Sequence, residues 1–250
     1  MQQLVEAPRE PAASRVRTQL VILWITPVIG AVFLTAFLAF PGFFPPTSPR
    51  LTAEQVAAFY AHNTTMLRLS MIVFNLFGIS LVPFFSLIVV QMKRMSTPTQ
   101  ILAYGYLNAV ISGATLFALA DLFWLIAAFR PDRNPELTML LNDLAWITFI
   151  APVGFLVVQC LCLAVAVYLD AHPQPVFPRW VAPFNIVTAL AILPSALAAT
   201  VTTGPLAWNG AISFYLRISA LAVYILVMFF IVRAAVVRQS AEERDRAVQP

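Results

Sequence analysis

The sequence predicts an all-α polytopic membrane protein with six transmembrane helices, and three observations predict it. The 250 residues are 60% hydrophobic and only 10% charged, whereas a soluble domain carries about 25% charged residues. The apolar residues gather into six runs, each reaching the roughly 20 residues that take a helix across a hydrocarbon core about 30 Å thick. None of the runs alternates as a β-barrel strand does. A helix satisfies its own backbone in lipid, which makes it the default for such runs.

Residues 1–18 are polar and include Arg9, Arg15 and Arg17. The first span covers about Leu20 to Phe40 and stops at Pro41-Gly42. It is longer than a signal-peptide core, and no small-residue cleavage site follows, so it is read as retained. After a proline-rich loop, Thr52 with Glu54 and Gln55 suits a helix start. Val56, Phe59 and Tyr60 then share one face. Leu51 to His62 therefore has two readings, an amphipathic helix lying on the membrane surface or a loop helix packed on its neighbours.

Span two runs from about Met66 to Met92 and is closed by Lys93 and Arg94. Span three follows from about Ile101 to Phe129, and span four from about Leu144 to Leu169. A loop with Pro173, Pro175 and Pro178 precedes span five, about Trp180 to Thr200. The turn Thr203-Gly204-Pro205 leads into span six, about Ala207 to Val232. Three segments result: 1–18 as a cytoplasmic N-terminal segment, 19–236 as the six-helix domain, and 237–250 as a charged, solvated cytoplasmic tail. No loop is long enough for a soluble domain.

Lysine and arginine placement gives the orientation. Arg9, Arg15, Arg17, Lys93, Arg94, Arg179, Arg233, Arg238, Arg244 and Arg246 fall on the side of the termini, against Arg50, Arg68, Arg130 and Arg133 opposite. Ten against four puts both termini in the cytoplasm. The five tryptophans lie near span ends, as an interfacial belt requires, with Trp24 and Trp180 inner and Trp124, Trp146 and Trp208 outer. The net charge of +4 sits at helix ends rather than on one folded face, which speaks for membrane flanks and against a nucleic-acid partner.

Spans one to three and four to six share short matches in order: Trp24-Ile25-Thr26 with Trp146-Ile147-Thr148, Phe74-Asn75 with Phe184-Asn185, and Asn108 to Ser112 with Asn209 to Ser213. They suggest a 3+3 inverted repeat of the kind secondary transporters use, against the alternative of chance matches in a small apolar alphabet.

An ionisable residue within a span is costly and marks a functional site by default. Asp121 lies eight residues before Phe129, and Arg217 ten after Ala207. At about 1.5 Å per residue both sit roughly 12–15 Å below the outer boundary, so their depths suit an ion pair, either structural or part of a ligand site. Arg68, Asn75, Asn142, Asp143 and Tyr215 fall in the same half, and Arg68 and Asp143 are also placed to snorkel. A second group, Tyr104, Tyr106, Asn108, Gln159 and Asn185, suits hydrogen bonding between helices at about 0.6 kcal/mol per bond, against the alternative of a substrate site.

No cofactor is expected. The two histidines, His62 and His172, lie in loops, which leaves no intramembrane haem or di-iron ligands. Cys160 and Cys162 lie two apart on one helix and point apart. Phosphate-loop and nucleophile-elbow motifs are absent, so an enzyme is the least supported class.

Pro175-Val176-Phe177-Pro178-Arg179-Trp180, Phe184-Asn185 and Gly204-Pro205-Leu206-Ala207-Trp208-Asn209-Gly210, with Leu140 to Leu144 and Val90 to Arg94, resemble a family of uncharacterised bacterial six-span integral membrane proteins. The resemblance implies six spans and a bacterial inner membrane, and brings no activity or ligand with it. Two functions are expected. The first is binding or transport of a hydrophobic or amphipathic small molecule through Asp121, Arg217, Asn75, Asp143, Arg68 and Tyr215. The second is a non-catalytic accessory subunit of a larger membrane complex. The partners are the lipid bilayer and either a membrane protein or a second copy of the chain.

Overall fold

Among the described residues, proline and glycine placement divides the six apolar runs into eight α-helices. The computed structural model describes residues 12–248, with side chains for 16–245. Arg9, and the side chains of Arg15 and Arg246, lie outside the described residues. Six helical units are long and apolar enough to cross a membrane, and no strand occurs among the described residues. The end of the molecule holding the first and last described residues is called the terminal end, and the other the far end.

Helix α1 (Ala12–Ala39) forms span one and continues through Pro27. Span two begins with α2 (Ala53–Phe77), which starts where the sequence predicts, and the structure shows a capping box there: Thr52 accepts from the Gln55 N–H at 3.3 Å and Gln55 accepts from the Thr52 N–H at 2.9 Å. The surface-lying helix does not occur. Residues 53–62 run without a break into the span, and Val56 and Tyr60 are buried in the far-end core. Their stripe faces the neighbouring helices, so it is the packing alternative that holds.

Span two then tightens to a 3₁₀ turn at Gly78–Leu81 and resumes as α3 (Val82–Met92). Pro83 explains the change, because a proline cannot donate to the preceding turn and crowds its carbonyl. Helix α4 (Ile101–Phe129) is span three. Span four begins nine residues earlier than the sequence predicts, as α5 (Pro135–Ile150). It is interrupted at residues 151–153 around Pro152 and continues as α6 (Gly154–Leu169). Span five is α7 (Val181–Ile192), which turns 3₁₀ at Leu193–Ala199 beside Pro194. Span six opens with a π-helical segment, Ala211–Leu216, and becomes α8 (Arg217–Val248).

The Gly204–Gly210 motif builds the start of span six. Gly204 has φ +81°, open to glycine at little cost, and a Cβ at Gly210 would collide with the Pro205 carbonyl. That carbonyl accepts the Ile212 N–H at 2.9 Å and the Ser213 N–H at 3.3 Å. Trp208 Nε1 donates to the Thr47 carbonyl at 2.8 Å, fastening the turn to the first far-end loop.

The core has two main bodies. The far-end body is rich in aromatic rings, including Phe43, Phe74, Trp124, Trp146, Phe149 and Phe214, and the terminal-end body is mainly aliphatic. The seam between them crosses span two near residues 75–83, span four near 151–155, span five near 190–197 and span six near 215–223. Every helix irregularity within a span lies in or beside that seam.

Two expectations change here. Trp24 and Trp180 are 57% and 50% exposed, as belt residues are, but Trp124, Trp146 and Trp208 are buried in the far-end core. Trp124 meets Trp146 edge to face with centroids 5.1 Å apart, and Trp146 stacks on Trp208 at 6.4 Å, so their rings face one another rather than lipid. The tail is not set off from span six, because α8 continues to Val248, and its Arg238, Glu242, Arg244 and Asp245 are exposed. Gln239 is buried, and Arg94 forms a 2.8 Å ion pair with Glu242.

Candidate functional site

Helix α4 carries Asp121 on the same face as Ala120, Trp124, Ala127 and Ala128, all buried. Asp121 is 1% exposed, and neither carboxylate oxygen has a hydrogen-bond partner. The Asn75 side chain on α2 stands beside it, and that residue keeps part of its surface exposed.

Arg217 begins α8 directly after the π-helical segment and is 4% exposed. No ion pair joins it to Asp121. Its Nη2 donates instead to the Phe149 carbonyl at 2.8 Å, and its guanidinium lies 5.0 Å from the Phe149 ring centroid. The break at Pro152 leaves the last carbonyls of α5 without helical donors, and the arginine takes one of them. Nε and Nη1 of Arg217 and Nε1 of Trp124 have no hydrogen-bond partner. The Phe149 ring touches both side chains, with its centroid 5.5 Å from that of Trp124. Equal depth along two helices does not fix which way the side chains turn, and here the partner is backbone.

The other predicted residues are dispersed. Arg68 donates to the carbonyls of Ala128 and Phe129 at 3.0 and 2.8 Å, closing the end of α4. Asp143 is half-buried and accepts one long bond, 3.4 Å, from Asn142, whose Oδ1 accepts from the Tyr60 hydroxyl at 3.1 Å. Tyr215 is exposed on the π-helical segment. In the second group Gln159 donates to Tyr106 at 3.1 Å, and the Tyr106 and Tyr224 hydroxyls lie 2.9 Å apart. This network ties α4, α6 and α8, as helix-bonding residues should. Tyr104 is exposed and meets Lys93.

Sequence reasoning missed the terminal end. Gln91 is fully buried and donates to Gln19 at 2.8 Å and to Gln239 at 3.1 Å, joining α3, α1 and α8. Asp170 is buried and accepts three backbone N–H groups, from Ser96, His172 and Val176, at 2.9–3.1 Å. An aspartate just past a helix and before a proline-rich loop is a turn signal, and it was the available cue. Beside these groups a cavity of about 220 Å³ is lined by Arg94, His172, Gln174, Arg238, Glu242 and Glu243, among others. An apolar groove of about 130 Å³ runs between α1 and α3 past Ile25 and Pro83. Neither is lined by Asp121 or Arg217. Among the described residues no group of three or more His, Cys, Asp or Glu side chains is placed to hold a metal ion.

Comparison with protein-family models, curated proteins and solved structures gave no match.

Proposed function

We propose that this protein binds or moves a hydrophobic or amphipathic small molecule across a bacterial inner membrane, with both termini cytoplasmic. The reading rests on one observation. Two buried ionisable side chains, Asp121 and Arg217, are without charged partners beside a seam at which four of six spans lose α-helical geometry. Intramembrane charges mark ligand or ion pathways, and discontinuous spans near the bilayer centre form the sites of many transporters. The aromatic rings around Phe149 would supply the apolar walls. Orientation is supported by the ten-to-four excess of Lys and Arg that the sequence places on the side of the termini, and the bacterial inner membrane by the family resemblance. Spans two and five both change geometry beside a proline, which suits a 3+3 repeat. Span one is continuous at Pro27 while span four breaks at Pro152, which does not.

Asn75 favours a second reading. A partly exposed amide on a membrane helix can also donate to another helix, which suits an accessory subunit or a homo-oligomer joined through α2.

Native mass spectrometry on gently extracted protein separates the two. A small molecule retained by the wild type and lost from Asp121→Asn is the expected result. A stoichiometric protein partner with no small molecule would replace the first reading by the second.

A further inference from the structure

The terminal-end cavity belongs to no part of the seam. Its charges oppose each other, with Arg94 and Arg238 against Glu242 and Glu243. Much of that charge is engaged. Arg94 donates to Gln91 Oε1 at 2.6 Å and pairs with Glu242, and Arg238 holds the carbonyls of Pro175 and Val176. Glu243 is different. Its Oε1 accepts from Gln239 at 3.0 Å, but its Oε2 is buried without a hydrogen-bond partner. In the facing loop, His172 Nδ1 accepts the Gln174 N–H at 3.3 Å, which leaves Nε2 as the donor of the neutral ring.

The lining therefore offers a buried carboxylate acceptor, an imidazole donor and two arginines. A simple anion would meet Glu242 and Glu243, and a simple cation would meet Arg94 and Arg238. A zwitterion answers both. The size also selects: about 220 Å³ falls below the roughly 300–1,000 Å³ of sites for drug-sized molecules. Arg94 follows the last turn of α3, and α8 leaves its apolar run just before Arg238. Positions just past the apolar run of a membrane helix fall in the headgroup region of a bilayer.

We propose that this cavity binds a small zwitterion carrying a primary amine and a phosphate, of the phosphoethanolamine type, with the ammonium on Glu243 and the phosphate toward His172 and Arg238. The proposal goes beyond the seam reading and does not depend on it.

The test places the protein in phosphatidylcholine nanodiscs and follows thermal unfolding with glycerophosphoethanolamine, glycerophosphocholine and glycerol phosphate. Saturable stabilisation by the ethanolamine compound alone is expected, weakened about tenfold in Glu243→Gln through loss of a charge-assisted bond. The unfolding temperature without additive reports whether that variant folds. Should it be lowered, His172→Ala makes the same test from the opposite wall. Discs doped with phosphatidylethanolamine then identify the source. Lipid retained in native mass spectra by the wild type but not by Glu243→Gln assigns a headgroup, and binding of the soluble compound without retained lipid assigns a free molecule. Equal responses to the three compounds, or unchanged affinity in both folded variants, would overturn the proposal. Neither arm involves Asp121, so failure here leaves the seam reading as it stands.

Discussion

Arg217 closes the end of α5, donating to the Phe149 carbonyl at 2.8 Å while its guanidinium rests 5.0 Å from the ring of the same residue. The device recurs. Arg68 closes α4 on the carbonyls of Ala128 and Phe129, and Arg179 closes α6 on those of Val167 and Tyr168 and on Asp170 just beyond. A guanidinium fork reaches several carbonyls at once, and the negative end of a helix dipole favours it. These cations are matched by backbone rather than by acids.

The first prediction follows directly. Arg217→Gln should destabilise the protein by about 2–3 kcal/mol, through a lost charge-assisted bond to a buried carbonyl. Asp121→Asn should not rescue it, and the double-mutant coupling should stay below about 0.5 kcal/mol, the scatter expected of independent sites. Unfolding in mixed micelles measures this. Mutual rescue of the two variants would mean that an ion pair forms after all.

Arg179 makes three carbonyl bonds of 2.6–3.1 Å. Lysine keeps the charge but not the fork, so Arg179→Lys should cost about 1–2 kcal/mol. The same unfolding assay decides it, and a variant as stable as wild type would show that charge alone suffices.

Asp170 and Asp143 should respond unequally to the same change. Asp170→Asn weakens acceptance of three backbone N–H groups and should cost about 2–3 kcal/mol. Asp143, half-buried with one 3.4 Å bond, should tolerate Asp143→Asn within about 0.5 kcal/mol. Amide exchange near Ser96 and Val176 should quicken only in the first variant.

Gly113 lets α4 approach α6. A Cβ there would stand 2.5 Å from the Phe155 ring, so Gly113→Ala should destabilise by about 1–3 kcal/mol through overpacking. Adding Phe155→Leu should return part of that loss. No recovery in the double variant would place the strain elsewhere.

The spans, the Thr52–Gln55 cap and the exposed Trp24 and Trp180 were legible because each depends on residue type and spacing along one segment. Five prolines stand within the predicted spans, and only three of them, Pro83, Pro152 and Pro194, lie at breaks, whereas Pro27 and Pro183 stand in continuous helix, so residue type alone did not tell which would interrupt. What stayed hidden depends on rotation about a helix axis. Depth placed Asp121 and Arg217 level, but only the packed structure turns Arg217 toward a carbonyl freed by Pro152. The glutamine junction at Gln91 was hidden for the same reason, since Gln19, Gln91 and Gln239 come from distant parts of the chain. Residues 53–62 show the converse: the Val56–Tyr60 stripe was visible, but not whether lipid or protein covers it.

Both core bodies draw residues from all six spans, from Val16 to Val236 in one and from Phe33 to Phe214 in the other. During synthesis, then, neither can be completed while the final span is still in the ribosome or the translocon. A chain arrested after its fifth span would have its helices inserted but both interiors open, each lacking one wall. Assembly of this protein is thus a late, single closure made by span six, and a truncation there should be cleared by membrane proteases as readily as one removing half the chain.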